Sequence, residues 1–398
     1  MPTVMAHHQT VALILSPALT LLSAAAEPEA GTRFSLSDVL FPALNVQSAF
    51  GTSTAEPADL ASGHHDPDRH GFTVQDIEFS LGVKYGALGL FGTYAVKIDQ
   101  EDRWKGNIEE YYATVSSLPL QSTLKGGRFY TRFGFQNQKH PHDFTMVDQF
   151  IANGRLLGED SLTVQGGEIS LPILRDLPTG WEDRLTFSYG QIPAAEEEEH
   201  GHEEAEPTYE SEAAFFSEWA ATADYTLTFA ATSATLHTGG VSAAWGDNHF
   251  GRSTQVYGAH YEYLWRAEGA LRADGHAHRE TSELLRWRSE AMLRSFGAVA
   301  EGTGKRREFT DFAAYSVLTY GLPGGKWQAH LRAEYASGTA EAGLPERWRL
   351  SPAATWSPDL PLNVKLQYNY DHSPSFGDEH SVWLQFNLQW GDGYCAEH

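Results

Sequence analysis

Residues 381–390 read Ser-Val-Trp-Leu-Gln-Phe-Asn-Leu-Gln-Trp, and their alternation decides the fold. Val382, Leu384, Phe386, Leu388 and Trp390 are apolar, while Gln385, Asn387 and Gln389 between them are polar. A period of two sends the two sets to opposite faces of a strand. The preceding run repeats it: Leu362, Val364, Leu366, Tyr368 and Tyr370 alternate with Asn363, Lys365, Gln367 and Asn369. Two architectures use such strands. A soluble β-sandwich buries the apolar face, whereas a transmembrane barrel turns it to lipid, encloses the polar face and ends its strands in aromatics.

Loop lengths favour the barrel. Pro358-Asp359-Leu360-Pro361, Pro323-Gly324-Gly325 and Leu118-Pro119-Leu120 read as tight turns. Longer polar connections fall between them, around 371–379, 339–347, 246–253, 195–213, 135–161 and 52–70. Short turns at one end and long loops at the other is the outer-membrane arrangement. The connection near 267–282 is long where a short one is expected. Strand-like runs at 43–52, 71–86, 107–118, 121–134, 184–193, 254–266, 308–321 and 326–337 bring the expected count to about sixteen, within 14–18. The expected fold class is all-β, a single antiparallel transmembrane β-barrel.

The ends fit export. Val11 to Leu22 is an apolar core followed by Ser23-Ala24-Ala25-Ala26, the small residues a signal peptidase accepts, although His7 and His8 stand where Lys or Arg is usual. The expected organisation is a signal peptide over 1–26, a short periplasmic segment over 27–42, the barrel over 43–390 and a tail over 391–398. Trp390 would then be the terminal aromatic that the barrel-insertion machinery reads.

Composition narrows the alternatives. Aromatics make up 12% of the 398 residues, and the 37 glycines exceed a typical share of about 7%. Both favour strands and turns. No apolar run after the leader approaches the roughly 18 residues of a membrane helix. The formal net charge of −24 argues against nucleic acid as a partner. It suits cations, or simply an acidic, soluble surface. The single cysteine, Cys395, has no partner for an internal disulfide. No Gly-x-Ser-x-Gly, His-Glu-x-x-His or phosphate-binding glycine loop is present, so no enzyme is expected.

Three of the long loops carry histidine with carboxylates. The first has His64, His65, Asp66, Asp68 and His70; another has His140, His142, Asp143 and Asp148; a third has Glu196–Glu199, His200, His202 and Glu203. Imidazole nitrogen and carboxylate oxygen are ligands for Zn²⁺ and similar ions. The expected sites are weak and exchangeable, on one face of the barrel, with incidental histidines on a solvated acidic surface as the alternative. In 135–161, Phe144, Val147, Phe150 and Ile151 recur at helical spacing before Gly154 and Gly158. This predicts a short helix, folded into the lumen or capping it from outside, with His140, His142, Asp143 and Asp148 at the entrance.

The same stretch carries a resemblance. Gly127-Arg128-Phe129, Phe133-Gly134, Asn137, His140, His142, Asp143-Phe144, Val147-Asp148, Leu157-Gly158 and Gly166 are similar to the signature of a family of proteobacterial outer-membrane proteins. Its members are described as zinc-regulated and sometimes as TonB-dependent receptors. Ile108-Glu109-Glu110-Tyr111, Leu118-Pro119, Tyr257-Gly258 and Leu264-Trp265 extend the similarity over roughly 70–335. The resemblance implies a barrel whose expression follows zinc supply, and it carries over His140, His142, Asp143 and Asp148 as matched positions. About sixteen residues separate the leader from the first strand, too few for the plug of a 22-stranded receptor. A porin-like channel is therefore expected.

The functional expectation is an outer-membrane channel or receptor-like barrel for small solutes, with divalent metal, zinc above all, captured by acidic histidine loops. No cofactor is required; Zn²⁺ enters as ligand or cargo. Outer-membrane lipid and, by analogy with porins, further copies of the chain complete the expected partners. The alternatives are a general diffusion porin with incidental histidines and a secreted carbohydrate-binding sandwich.

Overall fold

A computed structural model describes residues 39–98, 103–193, 209, 212–267, 284–300, 304–358 and 360–391. Its strands are β1 (Leu40–Ser53), β2 (Gly71–Tyr85), β3 (Leu88–Ile98), β4 (Trp104–Leu118), β5 (Ser122–Tyr130), β6 (Thr163–Leu171), β7 (Trp181–Gln191) and β8 (Phe216–Thr232). The second half comprises β9 (Thr235–Asn248), β10 (Ser253–Arg266), β11 (Leu284–Val299), β12 (Arg306–Gly321), β13 (Trp327–Ala336), β14 (Arg347–Trp356), β15 (Leu362–Ser373) and β16 (Gly377–Gly391). Each pairs antiparallel with the next, and β1 closes the cylinder on β16, from Ala43 opposite Gly391 to Ser53 opposite Ser381. Closure is what lets such a sheet sit in hydrocarbon, where each unpaired backbone group would cost several kcal/mol.

The faces are inverted relative to a soluble protein. In β16, Ser381, Gln385 and Asn387 are buried, while Val382, Phe386 and Leu388 are exposed. In β13 and β14, His330, Arg332, Glu334, Arg347, Arg349 and Ser351 are buried, while Leu331, Tyr335 and Leu350 are exposed. An exterior of large apolar side chains around a polar interior excludes the carbohydrate-binding sandwich and places the barrel in a membrane. Exposed Trp181, Trp327, Trp356 and Trp390 stand toward one rim, and exposed Phe50, Phe72 and Tyr335 toward the other, as two girdles. The barrel is of the outer-membrane type.

Several expectations change in detail. The connections His249–Arg252 and Pro374–Phe376 are tight turns, not the long loops expected around 246–253 and 371–379. Polar composition there reflects hairpin tips, where side chains such as Asn248 cap the turn by accepting the Phe250 and Arg252 N–H groups. β1 begins at Leu40 rather than near 43, and β5 ends at Tyr130 rather than running to Gly134. Asn137 ends it: its amide donates to the Thr131 and Leu162 carbonyls and its oxygen accepts the Leu162 N–H, closing the neck of the next loop. The proposed leader (1–26), most of the segment 27–42 and the tail after Gly391 lie outside the described residues.

Candidate functional site

Two loops from the same rim turn inward. The longer spans 131–162, between β5 and β6; the other spans 54–70, between β1 and β2. Met146, Val147, Phe150, Ile151, Leu156 and Leu157 of the longer loop are buried, and Phe150 stacks on Tyr315 of β12 with ring centroids 3.8 Å apart. Wall side chains hold its backbone. Gln47 donates to Pro141 O, Asn387 to His142 O and Lys365 to Met146 O, while Gln367 and Glu334 accept the Val147 and Ile151 N–H groups. Of the two placements the sequence allowed, the lumen is the one found.

The helix is displaced from its expected position. It covers Ile151–Leu157, and residues 144–150 are not helical. The spacing of Phe144, Val147 and Phe150 reflects burial of an extended path, because N–H groups that a helix would use internally are bound by Gln367 and by Asp66 (to Gln149 N, 2.7 Å). Gly154 faces the other loop so closely that a Cβ would lie 1.6 Å from Ser62 O.

The candidate histidines separate into distinct settings. His140 is 5% exposed. Its Nδ1 lies 3.0 Å from Glu109 Oε2 and 3.1 Å from Glu78 Oε2, and its Nε2 lies 2.7 Å from Glu110 Oε2. His142 Nδ1 is 3.2 Å from the same Glu78 oxygen, and its ring stacks on His140. His65 joins from the shorter loop, with Nε2 3.1 Å from Glu109 Oε1 and Nδ1 3.0 Å from Gln75 O. Burial disfavours the cation at all three imidazoles, but the facing carboxylates outweigh it. His65 and His142 are raised to about 9, and His140 well above its ordinary value.

The other candidates lie apart. His64 turns toward Asp160 at 3.8 Å, and His70 sits at the rim beside Thr52. The Asp143 side chain is 57% exposed, 3.6 Å from His142 Nε2. Asp148, grouped with the histidines in the sequence, is bound instead by Arg332, Arg349, Gln367 and Asn369 at 2.6–3.1 Å. These occupy both of its oxygens, which leaves no position free for a metal. His200, His202 and Glu203 lie outside the described residues.

The wall residues at two strand irregularities were the part that alternation could not supply. At β2 and β4 the register slips by one residue, between Gln47 and Ser48 in the β1 partner and between Thr93 and Tyr94 in the β3 partner. Each bulge turns two consecutive residues inward, Gln75 with Asp76 and Glu109 with Glu110, all buried. A second wall is basic. Arg347 and Arg349 share Asp371, and both donate to Leu60 O of the shorter loop. The lumen thus has an acidic wall at β2 and β4 and a basic wall at β13 and β14, and the two loops are bound to both.

No protein-family model matches the sequence. No curated protein matches it. Solved structures do: an anion-selective porin from Comamonas acidovorans has a TM-score of 0.54 at 8% identity, covering 88% of this chain and 99% of that one. OmpF of Salmonella typhi, in complex with daunomycin, has 0.52 at 11%, covering 90% and 100%. OmpT of Vibrio cholerae, in its trimer form, has 0.50 at 10%, covering 88% and 99%. At these identities the likeness is one of fold, and the fold is the 16-stranded outer-membrane barrel of porins.

Proposed function

We propose that this chain is a passive channel for small hydrophilic solutes across the outer membrane, with its lumen narrowed by the loops 131–162 and 54–70. The carrying observation is the closed barrel in which every strand turns at least one polar or charged side chain inward while its outward face is apolar. A barrel of this size encloses an aqueous lumen unless something fills it. Here part of that space is taken by the loops, so the permeant species are small.

Diffusion accounts for this geometry better than capture of zinc by exposed loops. His65, His140 and His142 are folded against the inner wall, not displayed at loop tips. Assembly into an oligomer of identical chains belongs to the same proposal, in keeping with the trimer form of the Vibrio cholerae relative. The reading makes no use of the TonB-dependent coupling that the resemblance implies.

Single-channel recording in planar bilayers tests it. Refolded protein whose heat-dependent gel shift confirms closure gives small, ohmic conductance steps, and shortening the 131–162 loop enlarges them. A closed barrel that stays silent in both forms would rule out a diffusion channel.

A further inference from the structure

We infer that Glu78, Glu109 and His140 form a buried binding site for a single borderline divalent cation such as Zn²⁺, built between the loop 131–162 and the walls β2 and β4. One ligand atom from each of the three lies within 4.8 Å of the others, and all three residues are buried. His140 Nδ1 is 3.0 Å from Glu109 Oε2 and 3.1 Å from Glu78 Oε2. A tetrahedral ion with bonds of about 2.0–2.1 Å separates neighbouring ligands by about 3.3 Å. A slight opening of this triad accepts it.

The surroundings resemble a metal centre more than a chance ion pair. A ligating imidazole characteristically donates its second nitrogen to a carboxylate, which fixes the ring. His140 Nε2 does so to Glu110 at 2.7 Å. The Glu109 oxygen turned away from the triad is held by His65 Nε2, and that ring is itself fixed by Gln75 O. His142 Nδ1, 3.2 Å from the Glu78 ligand oxygen, stands ready as a fourth donor.

A second, independent observation points to a cation at this place. Both carboxylate oxygens of Asp76 are buried without a hydrogen-bond partner among the described residues, and the residue has no exposed surface. Two residues from Glu78 on the same strand, it shares the inward face and lies in electrostatic reach of Glu78, Glu109, His65 and His142. A carboxylate buried with neither oxygen bonded is costly until a donor or a metal ion completes it. The mixed nitrogen and oxygen set selects zinc-like ions over Mg²⁺ or Ca²⁺, which prefer oxygen alone. This centre is distinct from exposed, exchangeable capture at loop tips, and it does not depend on whether the barrel conducts.

The test uses the whole refolded chain in detergent, its closure checked by gel shift, titrated calorimetrically with Zn²⁺ alone and followed optically with Co²⁺. The expected result is one tightly held ion per chain, with the intense visible absorption of four-coordinate cobalt. Substituting both His200→Ala and His202→Ala leaves this ion in place. His140→Ala abolishes it, and Glu110→Gln weakens it by about 10–100-fold, the usual effect of losing an orienting carboxylate. Glu109→Gln replaces His140→Ala if the latter does not fold. The inference is overturned if the wild type binds only at millimolar zinc, if cobalt gives only the pale spectrum of the hydrated ion, if the triad variants bind as the wild type does, or if the His200 and His202 substitutions remove the ion.

Discussion

The carboxylate of Asp148 lies 2.7 Å from Nη1 of Arg349, a contact between residues 201 positions apart that ties the inward loop to the basic wall. The same carboxylate receives Arg332 at 2.8 Å. Both guanidinium groups are almost wholly buried. Breaking a buried pair on one side leaves the other side uncompensated and costs about 3–5 kcal/mol in a dry setting, less where lumen water enters. Asp148→Ala is therefore expected to lower the temperature of the heat-dependent gel shift and to raise single-channel conductance as the loop loosens. Asp143→Ala, on the exposed side of the same loop, is expected to change stability by less than about 0.5 kcal/mol. Equal behaviour of the two variants would remove the anchoring role of Asp148.

Two neighbouring carboxylates give the loop contact a defined pH dependence. Burial pushes Asp148 up, but Arg332 and Arg349 outweigh it and hold the group at about 2, below its ordinary 3.8. Its contribution is present above pH 3.8 and is lost as pH falls through about 2; the gap corresponds to roughly 2 kcal/mol. Asp66, on the shorter loop, is raised to about 7 by burial first and by the charge of Asp148 second. Its contribution runs the other way, full below 3.8 and lost as pH rises through about 7. Loop docking is thus strongest near pH 4. In melting curves from pH 2 to 8, Asp148→Asn is expected to remove the acid-side decline and Asp66→Asn the decline toward neutrality. Variants whose curves run parallel to the wild type would refute the assignment.

How much of this could be read in the sequence follows from which rule each residue obeys. The stretch 381–390 gave the barrel because nearly every position keeps the alternation; its polar members Gln385, Asn387 and Gln389 prove to be the ones that reach the inward loop. Arg347 and Arg349, flanking Trp348 and followed by Leu350, obey the same rule and were there to be found. Glu109 breaks it, since a bulge turns it to the same face as Glu110, and no pattern in one strand reveals a bulge in a pair. His140 and His142 were legible as ligand types. Asp148 was grouped with them by its nearness in sequence, yet the loop carries it on to the arginines of β13 and β14. Loop length was the weakest signal, because a polar hairpin tip and a long polar loop have the same composition.

Contact between the two loops rests on a glycine. Gly154 has no room for a side chain: a Cβ would meet Ser62 O at 1.6 Å and its carbon at 2.7 Å, both backbone atoms that cannot swing away. Gly154→Ala must push the helix Ile151–Leu157 and the loop 54–70 apart. Overpacking of this kind costs about 1–3 kcal/mol. The shift would also strain the Asp66 contact to Gln149 N. The expected outcome is a lower unfolding temperature with faster proteolysis inside 54–70, while the barrel retains its gel shift. Unchanged proteolysis would mean that the loops are not held together there.

The acidic excess of the chain should set ion preference. The chain carries 52 acidic against 28 basic residues, and Glu196 to Glu199 form an unbroken acidic run. Acidic groups near a pore raise the local cation concentration, an effect that fades as salt shortens the screening length from about 30 Å at 0.01 M to about 3 Å at 1 M. Reversal potentials measured across a salt gradient are therefore expected to show cation preference at low ionic strength and little at 1 M. Replacing Glu196–Glu199 with Gln is expected to reduce the low-salt preference and leave the high-salt conductance unchanged. The arginines at β13 and β14 act in the opposite sense, but Arg332 and Arg349 are already paired with Asp148. Anion selectivity at low salt would show that the basic wall, and not the acidic excess of the chain, governs what passes.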